Sequence, residues 1–448
     1  MLQFRPSKAW WILAAGLLVL APVQGAEADA ELFLKQLRQV QQQNELLQQQ
    51  VRKQQELIEE LSRKVSKLAN DSPVTGGTAL TQTKSAEEPA ATPSPSGFSL
   101  GKVHISGEGS VGFFHSGSDG QFPNHEFRVD EAKLFVEAPI WKEVYFFTEV
   151  NLVTREEASL DLHVGELYVD FENVSRLWDR ENQLNLRAGR MDIPFGEEYL
   201  VRDSIDNPLV SHSLMDLWGV DEGVELYGKL CGVNYVAAVQ NGSHDGLRDF
   251  TDDKAFVLRV GYDPNRLLHL SASAMRTGKL DVKKEHVSEL WLGNGFVRSL
   301  GSSQTKEFEA NLLQGDVSLK FPHTTVRAAG GVLQYDDDDP AASNRRSVYY
   351  YYVEGVQDIY KGLYAATRWS QVFANDGFPL AANGNVEKYG FHNDALTHDL
   401  WRLSLGLGYR FDRRLVVKTE YTIDRGTLVN GARRNKEDMV SVVVAFAF

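Results

Sequence analysis

The spacing of hydrophobic residues changes twice along the chain. From Trp10 to Val23 they form one nearly continuous run, and between residues 33 and 68 they recur alternately at every fourth and third position. Beyond residue 97 they alternate with polar residues. A short apolar run, a heptad stripe and a period of two are typical of three different structures. These changes divide the chain into segments 1–26, 31–69, 70–96 and 97–448.

The first segment, residues 1–26, has the layout of a secretory signal peptide. Arg5 and Lys8 precede the apolar run, and small residues follow it from Gly25 to Ala30. The run spans about 14 residues, whereas a membrane-spanning helix needs about 20. We therefore predict an exported protein whose signal is cleaved within residues 25–30.

Residues 31–69 are predicted to form an α-helical coiled coil. Their stripe has a 3.5-residue period, which drives left-handed supercoiling of two or more helices. Asn44 and Gln54 are polar core positions, which fix register and oligomer state at some cost in stability. The pattern leaves the number of helices open, and one amphipathic helix packed on a domain is the alternative. The stripe consists of Phe33, Leu37, Val40, Asn44, Leu47, Val51, Gln54, Ile58, Leu61, Val65 and Leu68.

A flexible linker is expected at residues 70–96, because this stretch is rich in Ser, Thr, Pro, Gly and Ala. From residue 97 onward the period of two predicts sixteen β-strands. In the last of them, Val440, Val442 and Val444 alternate with Ser441 and Ala445. The strands are expected at 102–115, 126–138, 141–153, 160–171, 183–190, 220–230, 233–241, 254–262, 266–277, 305–320, 324–336, 346–356, 359–371, 399–411, 414–424 and 437–448.

Short and long connections alternate between these strands. Tight turns are predicted at Pro139-Ile140, Cys231-Gly232, Asp263-Pro264-Asn265, Pro322-His323, Gln357-Asp358 and Asp412-Arg413. Long connections are predicted at 116–125, 191–219, 242–253, 278–304, 336–345, 372–398 and 425–436. Periplasmic turns on one rim and extracellular loops on the other give this asymmetry. We therefore predict an all-β transmembrane barrel of about 16 antiparallel strands in the bacterial outer membrane. An even strand number places the coiled coil in the periplasm.

The composition and the absence of certain motifs argue against several other classes of protein. A mean hydropathy of -0.32 is unusual for a bundle of spanning helices and ordinary for a barrel. The single Cys231 excludes a disulfide framework within the chain. The histidines are scattered, and there is no Gly-x-Ser-x-Gly motif, no His or Cys pair at metal-ligand spacing and no phosphate-cradling Gly loop. We therefore expect no catalytic residues, no metal or cofactor, no enzyme activity and no nucleic-acid partner.

The connection at 191–219 is predicted to fold into the barrel. A sixteen-stranded barrel is wide enough for an aqueous channel. Pro194 and Pro208 shape this connection, and it carries Leu209, Leu214, Leu217 and Trp218. In a loop that extends into water these apolar residues would be exposed to solvent, whereas packing against the inner wall would bury them. A surface loop with its own small cluster remains the alternative.

Two stretches resemble the phosphate-selective porin O and P family. They read LNLRAGRMDIPFGEEYL at 184–200 and GVELYGKLCGVNYVAAVQNGSHDG at 223–246. Weaker similarity covers most of 100–448. The resemblance implies a trimeric diffusion pore of sixteen strands whose third loop forms a constriction in the lumen. Residues 191–219 match that loop by position and by the motif Pro194-Phe195-Gly196.

The negative net charge of the barrel region argues against selectivity for phosphate. Residues 1–96 carry equal numbers of acidic and basic residues, so the net charge of -14 belongs to 97–448. A ring of carboxylates favours cations, and an anion pore needs Arg and Lys. We predict that pore constriction and selectivity depend on Arg187, Arg190, Asp192, Glu197, Glu198, Arg202, Asp203 and Asp206. We predict further lumen-facing basic residues at Arg368, Arg402 and Lys418.

The sequence therefore predicts passive diffusion of small hydrophilic solutes or ions through the barrel, and the family resemblance implies that the barrel is a homotrimer. Outer-membrane lipid and lipopolysaccharide are the expected surroundings. An anion- or phosphate-selective porin is one alternative. An envelope tether or adhesin that binds peptidoglycan or another periplasmic partner through the coiled coil is the second. The acidic run Asp336 to Asp339 is interpreted as a solvated loop tip, with divalent-cation bridging to lipopolysaccharide phosphates as the alternative.

Overall fold

A computed structural model describes the barrel part of the chain. The described residues are 98–100, 102–120, 122–153, 162–214, 216, 219–242, 249, 251–281, 305–341, 343–378 and 397–448. The predicted signal peptide, coiled coil and linker lie outside them. No helix within the described residues has the length and apolar character to cross a membrane.

Sixteen long antiparallel strands form one closed barrel, and three short strands extend it. Each long strand pairs with its neighbours in sequence, and the last pairs with the first through Val444 and Val111, which closes the sheet. The predicted barrel is thus confirmed. The long strands are β1 Val103–Ser116, β2 Glu126–Trp141, β3 Val144–Val153, β4 His163–Phe171, β5 Asn185–Asp192, β6 Val220–Leu230, β7 Val233–Gln240, β8 Ala255–Tyr262, β9 Leu268–Arg276, β10 Glu307–Lys320, β11 Thr324–Asp337, β12 Arg346–Tyr360, β13 Leu363–Phe378, β14 Thr397–Arg410, β15 Leu415–Leu428 and β16 Met439–Ala447.

The short elements lie at the ends of these strands. Phe98–Leu100 pairs with the start of β1, Leu280–Asp281 pairs with β10, and Arg433–Arg434 pairs with β15. Two 3-10 helices, Val174–Trp178 and Glu198–Val201, follow β4 and β5 respectively. The first of these is the helical turn that the length of the β4–β5 connection suggests.

The two faces of the barrel wall differ in polarity. Leu405, Tyr421 and Val442 are exposed on the outside, whereas Lys418 and Glu420 on β15 are buried on the inside. Successive residues of a strand point to opposite faces, so the alternation in the sequence becomes an apolar outer wall and a polar inner wall. Large aromatic side chains are exposed at the rim formed by the short turns, as a membrane-interface girdle requires. They include Trp141, Phe321, Tyr360 and Phe411.

Two of the predicted tight turns are wrong. Strand β2 continues through Pro139 to Trp141 and turns at Lys142-Glu143, and β12 continues to Tyr360 and turns at Lys361-Gly362. Pro139 is tolerated within its strand because the β2–β3 register shifts between Pro139 and Trp141. Lys361 and Gly362 have φ of 41° and 89°, the left-handed geometry that two-residue hairpin turns need.

The acidic run Asp336 to Asp339 is hydrogen-bonded at the rim of the long connections. Asp336 forms an ion pair of 2.8 Å with Arg345, and Asp337 accepts a hydrogen bond of 2.9 Å from the Asn344 amide. Asp338 accepts the backbone N–H of Lys306 at 2.8 Å. These carboxylates therefore hold neighbouring chain segments together at the end of β11.

Candidate functional site

Residues 193–214, 216 and 219, here called the inner segment, pack against the inward-facing side chains of the barrel. Phe195 and Leu214 belong to one buried cluster with wall residues such as Val257 of β8 and Val372 of β13. Leu209 belongs to a second cluster with Tyr364 of β13. Leu209 and Leu214 are 1% and 4% exposed, whereas Leu217 and Trp218 lie outside the described residues. Burial of these apolar side chains gives the segment its place inside the wall.

Strand β15 supplies one lysine and one carboxylate that bind the backbone of the inner segment. The Lys418 ammonium donates hydrogen bonds to the carbonyls of Ser204 at 2.8 Å, Asn207 at 3.0 Å and Leu209 at 2.8 Å. Glu420 accepts the backbone N–H groups of Val210 and Ser211 and the Ser211 hydroxyl, with 2.8 Å to the Ser211 nitrogen. Hydrogen bonds to charged groups are about twice as strong as neutral ones.

Arg368 and Arg402 lie on the polar side of their strands, and both are buried. Arg368 of β13 forms an ion pair with Glu354 of β12 and donates a hydrogen bond of 2.8 Å to the Ser211 carbonyl. Arg402 of β14 bonds Asp424 of β15 at 2.8 Å. Their charges are therefore committed to neighbouring carboxylates and to the inner segment.

Two of the predicted selectivity residues, Arg202 and Glu198, bind other residues of the inner segment. Arg202 makes a bidentate pair with Asp216, at 2.8 and 2.7 Å. Burial alone would raise the pKa of Asp216, but the Arg202 guanidinium holds that pKa well below its usual range. Glu198 accepts hydrogen bonds from the N–H of Ser213 at 2.8 Å and from its hydroxyl at 2.5 Å, and burial raises the pKa of Glu198.

Glu197 and Gly196 contact the wall formed by β8, β9 and β10. The Glu197 carboxylate lies 3.6 Å from Arg259 and 3.4 Å from the His269 imidazole. The Gly196 N–H donates a 3.0 Å hydrogen bond to the Ser273 hydroxyl. Gly196 has a φ of 73°, and a Cβ added there would lie 2.5 Å from the amide nitrogen of Gln314. The left-handed φ favours glycine at this position.

Asp203 lies where the inner segment meets β1 and β2. Its carboxylate is 2.7 Å from the ammonium of Lys133 on β2, which is also 3.0 Å from Glu131 and 3.5 Å from Glu108 of β1. The Ser204 hydroxyl donates a 2.5 Å hydrogen bond to Glu131. Asp206 follows as an exposed residue whose backbone N–H bonds the Asp203 carbonyl.

Arg187 on β5 faces inward, between β4 and β6. It forms ion pairs of 3.1 Å with Asp170 and 3.3 Å with Glu225. Its guanidinium carbon lies 4.3 Å from the ring centre of Tyr168 and 5.1 Å from that of Tyr227, within range of cation–π attraction. The arginine is therefore held in place by four side chains.

Arg190 lies on the opposite face of β5 from Arg187. It is paired in the sheet with Leu167 and Glu222, and Leu167 is exposed on the outer wall. Its guanidinium binds Glu222 at 2.8 Å. Asp192, at the end of the strand, donates its backbone N–H to the Glu166 carboxylate at 3.0 Å. Arg190 is thus separated from the side chains that surround the inner segment.

The predicted site residues do not include the carboxylates of the wall strands. Glu131, Glu149 and Glu420 each bind a neighbouring side chain or the inner segment. Their signal was available, because each occupies an inward position in the alternation of its strand. Glu420, for example, directly precedes the outward Tyr421.

Comparison with known proteins adds to this description at the level of the fold. No protein-family model matches the chain, and no curated protein matches it. An anion-selective porin from Comamonas acidovorans superposes with a TM-score of 0.52 at 10% identity, over 77% of this chain and 99% of that one. The outer membrane channel DcaP of Acinetobacter baumannii gives 0.51 at 13%, over 77% and 97%. OmpT, an outer membrane protein of Vibrio cholerae, gives 0.51 at 12%, over 79% and 100%.

These likenesses place the barrel among the folds of outer-membrane porins. At such low identities they concern the fold alone. The narrower resemblance to the phosphate-selective porin O and P family has no matching family model behind it and stays a prediction.

Proposed function

We propose that the protein is an outer-membrane porin through which small hydrophilic solutes and ions diffuse passively, with a preference for cations. The observation that carries this proposal is the inner segment, which fills part of a closed sixteen-stranded barrel and is bonded to its polar inner wall. A barrel of this size leaves an aqueous channel unless something narrows it. The inner segment is therefore the proposed constriction.

The proposed passage runs between the inner segment and strands β2 to β6. The described hydrogen bonds and ion pairs of the segment reach β1, β2, β8, β9, β13, β14 and β15. The pair of Asp203 with Lys133 marks one edge of the remaining space, and the bond from Asp192 to Glu166 marks the other. Solutes would pass between these two edges.

Carboxylates outnumber cations around that space. Glu149, Glu166, Asp203 and Glu225 are matched by two basic side chains, Lys133 and Arg187, which are bound to carboxylates themselves. Arg190 does not add to the lumen, because it lies on the outer face. A lining of negative sign lowers the energy of a passing cation and raises that of an anion. Phosphate selectivity is therefore not proposed.

The residues of the outer wall favour a location in the membrane and assembly into an oligomer. Its exposed apolar residues suit contact with outer-membrane lipid and lipopolysaccharide. The Arg190–Glu222 ion pair is an exception on this wall, since an arginine facing lipid costs about 2–4 kcal/mol at the midplane. We infer that a neighbouring protomer of a homotrimer covers this part of the wall.

The test is the reversal potential of the purified protein in a planar bilayer that separates two KCl concentrations. We expect stepwise channels and a reversal potential of cationic sign. Replacing Glu149 and Glu166 by Gln should reduce the cation-to-anion permeability ratio by about two-fold or more, because two carboxylates leave the proposed passage. Glu181→Gln, at an exposed position beyond β4, is the control and should change nothing.

A folded barrel without conductance would overturn the porin proposal and favour the tether or adhesin. An anionic reversal potential of the wild type would overturn the cation preference. If the channels conduct but both Gln substitutions leave the reversal potential unchanged, the passage does not run along β3 and β4.

A further inference from the structure

Lys133 lies inside a group of three carboxylates between β1, β2 and the inner segment. Oxygens of Glu108, Glu131 and Asp203 lie within 4.8 Å of one another. The Lys133 ammonium is 2.7 Å from Asp203, 3.0 Å from Glu131 and 3.5 Å from Glu108. We call these three carboxylates the cage.

Two features show that the cage is built for a cation. Three carboxylates at this spacing are the oxygen ligands that Ca²⁺ and Mg²⁺ take. Glu108 is 9% exposed, and its Oε1 atom has no hydrogen-bond partner among the described residues. The Lys133 ammonium, 3.5 Å away, forms an ion pair with it. A buried carboxylate oxygen without a donor is costly unless a positive charge neutralises it.

The cage is accessible to solvent at Asp203. Asp203 is 44% exposed, whereas Lys133 and Glu131 are 12% and 17% exposed. A lysine side chain is a flexible stem with a compact charge at its end, so it can occupy such a place without a rigid geometry. Lys133 therefore stands where an ion from solution would otherwise bind.

We propose that Lys133 determines specificity by keeping divalent cations out of the cage, so that the pore conducts monovalent cations in the presence of Ca²⁺ and Mg²⁺. This inference rests on the proposed function. If Lys133 is removed, the three carboxylates of the cage are expected to bind Ca²⁺ beside the passage. A bound divalent ion would then obstruct the passage and reduce its negative field.

The experiment measures single-channel conductance in KCl while Ca²⁺ is added, for the wild type, Lys133→Met and two comparison variants. Lys142→Met is the matched control, because Lys142 is an exposed lysine in the β2–β3 turn of the same hairpin. Lys133→Met with Asp203→Asn removes the lysine and one ligand of the cage.

We expect the wild type and Lys142→Met to keep their conductance. Lys133→Met should lose more than half of it at about 1 mM Ca²⁺, in the range of weak extracellular calcium sites. The double variant should regain resistance, because two carboxylates hold the ion less well than three. Lys133→Gln is the second variant if the methionine form does not fold.

Three results would overturn the inference and leave the porin proposal standing. They are a calcium-sensitive wild type, a conducting Lys133 variant that ignores Ca²⁺, and a block that persists in the double variant. Absence of conductance from the folded wild type would instead overturn the proposed function itself.

Discussion

Lys418 is a residue whose single side chain positions a large part of the inner segment. Its ammonium replaces lost hydration with three backbone carbonyls, and it is 2% exposed. Lys418→Met should leave these acceptors unpaired and cost about 3 kcal/mol of stability. We expect noisier open channels with frequent changes of conductance level, because the segment is freed from β15.

Single-channel recordings and urea unfolding measure the two effects of Lys418→Met separately. Lys229→Met, at an exposed position near the end of β6, is the control for the loss of a lysine. Quiet channels of unchanged conductance in Lys418→Met would show that this lysine stabilises the barrel without positioning the inner segment.

At the same scale, alternation predicts where a strand residue points but not what it binds. Arg368, Arg402 and Lys418 each lie on the polar side of their strand. Their partners belong partly to an irregular segment that is 157 residues away from Arg368 and 209 away from Lys418, which no local pattern connects to them. The grouping of Arg190 with Arg187 was avoidable, since residues three apart on a strand lie on opposite faces.

At the scale of the element, the β12–β13 hairpin depends on the glycine of its turn. Gly362 has a φ of 89°, and a Cβ there would lie 2.2 Å from the Arg410 carbonyl oxygen. Gly362→Ala should therefore destabilise the barrel by about 2 kcal/mol, from backbone strain and steric conflict together. The measurement is the urea midpoint of unfolding.

Gly355→Ala, on the strand β12 that leads into the turn, is the matched control for Gly362→Ala. A Cβ at Gly355 would meet only the Thr367 methyl at 3.9 Å, an ordinary contact. This variant should unfold within about 0.5 kcal/mol of the wild type. Equal destabilisation of the two variants would contradict the role assigned to the turn.

The alternation of apolar and polar residues predicts the positions of the strands closely, but it does not predict where some of them end. Strand β6 spans 220–230 as predicted, because its apolar and polar residues alternate up to a turn of Cys231 and Gly232. Strand β2 extends past Pro139, although proline usually marks a strand end. The irregular register that accepts it arises from pairing with β3, so it is a property of two strands together.

At the scale of the whole molecule, closure of the barrel involves only residues within the described region. Strands β16 and β1 pair along their length, and the backbone of Phe448 exchanges hydrogen bonds of 2.9 and 3.1 Å with Gly107. Each long strand is thereby paired with a neighbour on both sides, as a barrel in lipid requires. The barrel thus needs no strand from the predicted coiled coil at residues 31–69.

Deleting residues 31–69 should therefore leave a folded barrel that conducts but assembles less stably. A heptad stripe buries its apolar face only against other helices, so its contribution should go to the oligomer. Electrophoresis after graded heating measures the temperature at which the oligomer dissociates, which we expect to fall by several degrees. Asn44→Leu, which removes a polar core position and keeps the helix, is expected to raise that temperature or alter the oligomer state. If the deletion leaves the heat resistance of the oligomer unaltered, the helix has a different role, such as binding a periplasmic partner.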